Sequence, residues 1–531
     1  MGMNKFNNQK KLKPQTLLLI PSAMFAVYYL ILGKFLEAIL FFGVGFGISF
    51  VIGRISHKAG PKKVDLALTT AVFHMYSLSM GETSPDDLVR TIAESKEYGL
   101  YSKIFEKIFR LAKDFGYGFT KATAHVAANL RPPLKDILIR LTSVLSSVKP
   151  RGYLEIEASM LIEEYSGYYT RSIEALKTLG GIFASFQSVT VFLIMTIAIM
   201  AIFMIDPNAI VFGYFISGFS IVMMYFLFRS ASPRENIIYI GKYPPSQYTL
   251  MRLSFFALLL PSIAIAMIMY ISAGAHIAFI ILGLGMMLPG FFGYTLERHV
   301  NRIDREYPAF LKAIGENMAS TLDLKAAFSY VLDLELGPLK SLVKNAWNRL
   351  TLGIGNAQTM ESFSSEAASY QVHVCNKIFL DAVARGANPL EVGNALGNRV
   401  VKLIEFRKAR DVVTKGFQMI VMVMQPLTVV LLVVTEVLVG FMSQYLITLP
   451  YFGFNSIPMP IVQIGNTILV FTLAVANAMT IKEVSAGYWG TFLLNFGILL
   501  IASGITWMMA NYFIQTILSS MPTLDLTLPT A

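Results

Sequence analysis

The chain has 531 residues, 55% of them hydrophobic and only 15% charged, with a mean hydropathy of +0.57. A water-soluble protein carries about 25% charged residues to cover its surface, so soluble enzymes, disulfide-framed secreted domains and disordered tails are excluded. The net charge of +11 has a topological reading before a nucleic-acid one, because basic residues collect on the cytoplasmic side of membranes, and no nucleic-acid partner is expected.

Residues 178–205, 253–296, 437–481 and 484–524 contain no charge. About 20 apolar residues cross a bilayer core, so the expected fold is an all-α polytopic membrane protein. Nine transmembrane helices are read in chain order: 15–33, 35–53, 181–205, 208–228, 253–272, 275–294, 416–441, 460–480 and 489–515. Turns at Gly33-Lys34, Asp206-Pro207-Asn208 and Ser272-Ala273-Gly274 separate three hairpins. The start carries Lys5, Lys10, Lys11 and Lys13 before an apolar run, which reads as an uncleaved first helix because a second span follows at once. With the N-terminus cytoplasmic and the C-terminus outside, 43 of the 44 Lys and Arg residues fall on the cytoplasmic side, Lys34 excepted.

This divides the chain into a transmembrane hairpin (1–53), a first cytoplasmic bundle (54–180), four spans with a short basic loop at 229–252 (181–294), a second bundle (295–415) and three C-terminal spans (416–531). The polar segments are punctuated as helices. Ser84-Pro85, Gly99, Gly116, Arg131-Pro132-Pro133 and Pro150-Arg151-Gly152 divide the first; Pro308, an Asp323 cap, Gly337-Pro338, Gly353 and Asn388-Pro389 divide the second. The spans and punctuation recur at an offset of about 236 residues, with Gly116 matching Gly353 and Leu154-Glu155 matching Leu390-Glu391. Four spans separate equivalent points, so the expected repeat is parallel. Proline is absent from 153–205 and 390–425, which allows each bundle to end in a helix that continues into the membrane. The alternative is a bend at Gly180-Gly181.

No P-loop, H-E-x-x-H or G-x-S-x-G motif occurs, and no catalytic, cofactor-binding or metal-ligating residue is expected. Cys375 beside His373 reads as a buried thiol. Glu436 is the exceptional acid within a span, and such residues are often functional, although its late position also lets it reach headgroups or water. Asn466 and Asn477 are candidates for hydrogen bonds between helices. The basic run Arg399, Lys402, Arg407, Lys408 and Arg410 is either an anchor on anionic headgroups or a docking face for an acidic partner.

Residues 295–442 resemble the type II secretion F family, the platform proteins of type IV pilus-like machines. The resemblance lies in Tyr307-Pro308-Ala309-Phe310-Leu311, Gly337-Pro338-Leu339, Gly353 followed by Ala357 and Phe363, Arg385-Gly386-Ala387-Asn388-Pro389-Leu390, and Arg407-Lys408-Ala409-Arg410 entering a span. Gly386-Ala387 replaces the family's frequent Gly-Gly, and residues 63–205 are similar to a second, more divergent copy. Two bundles and nine spans resemble the archaeal members, which include archaellum and adhesive-pilus platforms. The resemblance implies a non-enzymatic, dimeric platform in the cell membrane. A separate hexameric ATPase would dock on the cytoplasmic side, through the basic run, and pilin-like subunits would be drawn from the bilayer. A transporter or channel with large cytoplasmic domains is the alternative reading.

Overall fold

The computed structural model describes residues 64–147, 149–203, 208–446 and 459–520. The predicted spans at 15–33 and 35–53 lie outside these residues. Helices make up most of the described residues, which hold no strand beyond one isolated bridge between Ile238 and Ser369. Seven helices are long and apolar enough to cross a membrane, and they overlap the third to ninth predicted spans.

The first bundle holds α1 (Leu66–Leu78), α2 (Pro85–Glu94), α3 (Leu100–Lys113), α4 (Phe119–Ala128) and α5 (Leu134–Ser146). Local chemistry sets their starts. Asp65 accepts from the Leu68 amide to cap α1, and Ser84 and Asp87 exchange hydrogen bonds as a capping box ahead of α2. Helix α6 (Arg151–Phe203) then runs without interruption for 53 residues, about 80 Å, from the bundle into the membrane. Gly180 and Gly181 lie inside it and do not break it. The span α7 (Asn208–Ala231) leads to a strap, 232–245, and the hairpin α8 (Ser246–Ala273) and α9 (Ala275–Thr321) follows.

Pro308 does not open a new helix. α9 continues through it for 47 residues, so the sixth span and the first bundle helix of the second half are one element. The second bundle is completed by α10 (Leu324–Val331), capped by Asp323 as expected, then α11 (Leu339–Thr351), α12 (Asn356–Ala367) and α13 (Tyr370–Val383). Helix α14 (Pro389–Leu446) is 58 residues long, about 87 Å, and passes Pro426 without ending. Spans α15 (Met459–Ser485) and α16 (Trp489–Ser520) follow.

One apolar core runs through both bundles, from Leu68, Val72 and Phe105 to Phe310, Phe328 and Phe363. A second core lies among the spans, with Phe183, Phe228 and Phe417 clustered where α6, α7 and α14 meet. α6 and α14 run parallel along their length. Arg151 pairs with Glu391, Glu163 with Lys402, Tyr169 stacks on Phe406 at 5.2 Å, and Gln187 donates to Thr428 at 2.7 Å. α9 and α16 approach most closely, because glycines line the contact. A Cβ on Gly490 would lie 2.3 Å from the backbone of Gly293, and one on Gly283 would lie 2.8 Å from the Gly497 carbonyl. Without a hydrophobic driving force between helices in lipid, such backbone approach is what holds spans together.

Candidate functional site

Where the bundles meet the spans, charged residues from three separate segments are buried together against the end of a fourth. Arg407 on α14 donates to Asp304 on α9 at 2.6 Å and to Glu235 on the strap at 3.2 Å. Arg410, one turn further, donates to the carbonyls of Val484 (2.6 Å), Glu483 (2.6 Å) and Pro233 (3.0 Å) and lies 3.7 Å from Glu235. It thereby satisfies the free carbonyls at the end of α15, which a helix terminus leaves without partners. The strap is pinned further by Tyr239 and Tyr370, whose amides donate to Ala368 and Ile237 at 2.9 Å each. This junction ties α9, α14, α15 and the strap into one block.

That arrangement divides the basic run expected to form a docking face. Arg399, Arg407 and Arg410 point inward, because each has a partner on another element and burying an unpartnered charge is costly. Arg399 donates to Thr70 at 3.0 Å and lies 4.8 Å from the Phe73 ring, joining α14 to α1. Lys402 and Lys408 remain exposed, Lys402 in a surface pair with Glu163 at 2.6 Å. The other basic run, 229–252, also splits: Arg229 pairs with Glu483 at 2.8 Å while Arg234 is exposed.

A second polar seam joins the bundles to each other. His74 on α1 is fully buried, with Nδ1 2.9 Å from the Tyr98 hydroxyl and Nε2 3.3 Å from Asp381 on α13. Burial pushes its pKa down against the pull of Asp381. Glu97, in the turn after α2, lies 3.4 Å from His373 Nε2 and 2.8 Å from Lys377 Nζ. Burial opposes its charged form, but the bonds from His373 and Lys377 outweigh burial and hold its pKa at about 2. These groups edge a cleft of about 990 Å³ between the bundles and the strap, where Tyr239 stacks on His373 at 3.8 Å. Cys375 is buried as expected, its thiol pushed up to about 12 by burial. Among the described residues no group of three His, Cys, Asp or Glu side chains is gathered for a metal ion.

Inside the membrane a polar stripe runs along α14, and its members fasten it to α15 and α16. Gln418 donates to Asn495 on α16 at 2.9 Å. Gln425 accepts from Asn477 on α15 at 2.7 Å and donates to Ser503 on α16 at 3.1 Å. Glu436 accepts from Asn466 at 3.1 Å, and Asn466 in turn accepts from Tyr214 on α7 at 2.6 Å. Asn466 and Asn477 therefore bond between helices, and Glu436 is part of the same ladder. Gln418, Gln425, Gln187 and Tyr214 were not anticipated. The signal was a pair of glutamines seven residues apart in an apolar run, which places both on one helix face.

No family model and no solved structure matches the chain. Two curated relatives do. The chain is 22% identical over 432 residues to Flagella accessory protein J of Methanocaldococcus jannaschii, covering 75% of this chain and 76% of that one. It is 22% identical over 365 residues to Flagella accessory protein J of Methanococcus voltae, covering 64% of each, so this match spans less than two thirds of that relative. The chain is thus a multi-pass membrane relative of the flagella accessory J proteins, and the resemblance read from its sequence, to archaeal filament platforms, is to proteins of this kind.

Proposed function

We propose that this chain is a non-enzymatic membrane platform of an archaellum-type filament machine. In this reading a separate hexameric ATPase drives the cytoplasmic bundles, and the spans pass that motion to pilin-like subunits in the bilayer. The names of the two relatives support the archaellum branch over an adhesive pilus. The orientation proposed has the bundles in the cytoplasm and the C-terminus outside, and the working unit is a homodimer. The chain is also proposed to be twice built: α10 to α14 start 236 to 239 residues after α2 to α6.

The observation that carries the reading is continuity. α6, α9 and α14 each belong to a bundle at one end and to the membrane at the other, so no joint absorbs movement between them. The shared core of the bundles makes a push on either one a push on both. The transporter reading is weaker, because Glu436 is engaged with Asn466 in a bond between helices. The test inserts four glycines after Lys177, between bundle and bilayer. ATPase capture should persist and filament assembly should fail. Filaments at wild-type levels would exclude α6 as the path.

A further inference from the structure

Where α7, α15 and α16 reach the bundle side of the membrane, the strap leaves a cleft of about 400 Å³. Arg229 enters it from the last turn of α7, Lys482 from the last turn of α15, and Trp489 opens α16 beside it. Arg234 and Arg410 complete its basic lining. Four cations thus face two carboxylates, Glu235 and Glu483. Glu235 is taken by Arg407 and Arg410. Glu483 is shared between Arg229 at 2.8 Å and Lys482 at 3.7 Å. The next acid, Glu297, accepts from the amides of Tyr488 and Thr491 at 3.1 and 2.9 Å. Arg234 is exposed, and the acid whose charge acts on it is Asp65, at the start of α1. The Lys482 ammonium lies 4.8 Å from the Trp489 ring centroid, and both tryptophan and lysine are favoured at headgroup level.

Three helix ends fix this cleft at the bilayer surface, and among its lining residues cations outnumber carboxylates. Basic pockets between spans at this depth suit a phosphate-bearing headgroup. We propose that the cleft binds the headgroup of one anionic phospholipid, with its phosphate held between Arg234 and Lys482. The lipid would then brace the strap and, through Glu235, the Arg407–Arg410 junction, so its binding stabilises the folded protein by mass action.

The test is native mass spectrometry and thermal unfolding of the full chain in detergent, with added phosphatidylglycerol, phosphatidylcholine or inorganic phosphate. Phosphatidylglycerol should bind and raise the melting temperature, while the other two should do neither. Arg234→Gln with Lys482→Gln should weaken phosphatidylglycerol binding roughly thirtyfold, at about one surface charge per contact. Arg234→Lys with Lys482→Arg should retain it. Arg234→Gln alone removes an exposed side chain and serves if the double variant does not fold. Equal binding of phosphatidylcholine, or unchanged binding in the Gln variants, overturns the site. Inorganic phosphate matching phosphatidylglycerol overturns the lipid as its occupant.

Discussion

Replacing Arg407 with leucine tests whether the junction is held by charge or by shape. The guanidinium contacts Asp304 at 2.6 Å and Glu235 at 3.2 Å, and both carboxylates are almost fully shielded from water. Removing one partner of a buried pair costs ~3–5 kcal/mol, because the charge left behind is unpaired. Two features offset part of that here: Arg410 stays 3.7 Å from Glu235, and the Ser369 hydroxyl still bonds Asp304. The lower end, about 3 kcal/mol, is therefore expected for Arg407→Leu. Pairing it with Asp304→Leu removes the orphaned acid, so the double variant should recover at least ~1 kcal/mol relative to the sum of the two single changes. Unfolding in detergent, followed by tryptophan fluorescence across the four proteins of the cycle, gives both numbers. If Arg407→Leu falls within ~0.5 kcal/mol of the parent, or the two changes simply add, the junction is not an electrostatic unit and the reasoning fails.

Other outcomes follow from the same structure. Glu97 has a folded pKa near 2, below its usual 4.5, so its contribution is complete above pH 4.5 and is lost as pH falls from there toward 2. The loss is roughly 2 kcal/mol after allowing for its partial exposure; Glu97→Gln should remove this acid dependence, read as protease sensitivity between the bundles. Gly490→Ala should force α9 and α16 apart, since the added carbon meets the Gly293 backbone at 2.3 Å; a cost of ~1–3 kcal/mol is expected, seen as a lowered melting temperature. Gln425→Leu strands Asn477 and Ser503, and about 1 kcal/mol should be lost in the same assay. Reversing the exposed Lys402 and Lys408 to Glu, which breaks only the surface pair with Glu163, should shift melting little and weaken capture of the proposed ATPase; unchanged capture removes this face from the proposed interface.

Much of the architecture could be read directly. Charge-free runs marked the spans, and Ser84-Pro85 and Asp323 marked helix starts because side-chain caps are local chemistry. Pro308 misled, since a proline looks like a beginning while α9 carries it within a helix already anchored at both ends. The basic run is ambiguous for a different reason. A row of arginines reads alike whether it faces water or acids, and the acids that claim Arg407 lie 103 and 172 residues away in sequence. The strap hid for the same cause: its grip on Ser365, through a 2.7 Å bond from the Tyr243 amide, is long-range. Along α14 only the spacing of Arg407, Arg410, Thr414, Gln418 and Gln425, which recur at intervals of three, four and seven residues on one face, is a readable trace.

The unbroken run of α14 has a mechanical corollary. A stiff rod pivoted where it leaves the bundle, near Arg410, extends about 54 Å to its far end at Leu446 and magnifies small angles: a tilt of about 5° sweeps that tip through roughly 5 Å. That is close to one helical turn's rise, and it arrives at the opposite leaflet without any rearrangement along the way. Leverage of this kind needs a firm fulcrum, and the salt-linked Arg407 and Arg410, where the rod leaves the bundle, are where this chain supplies one.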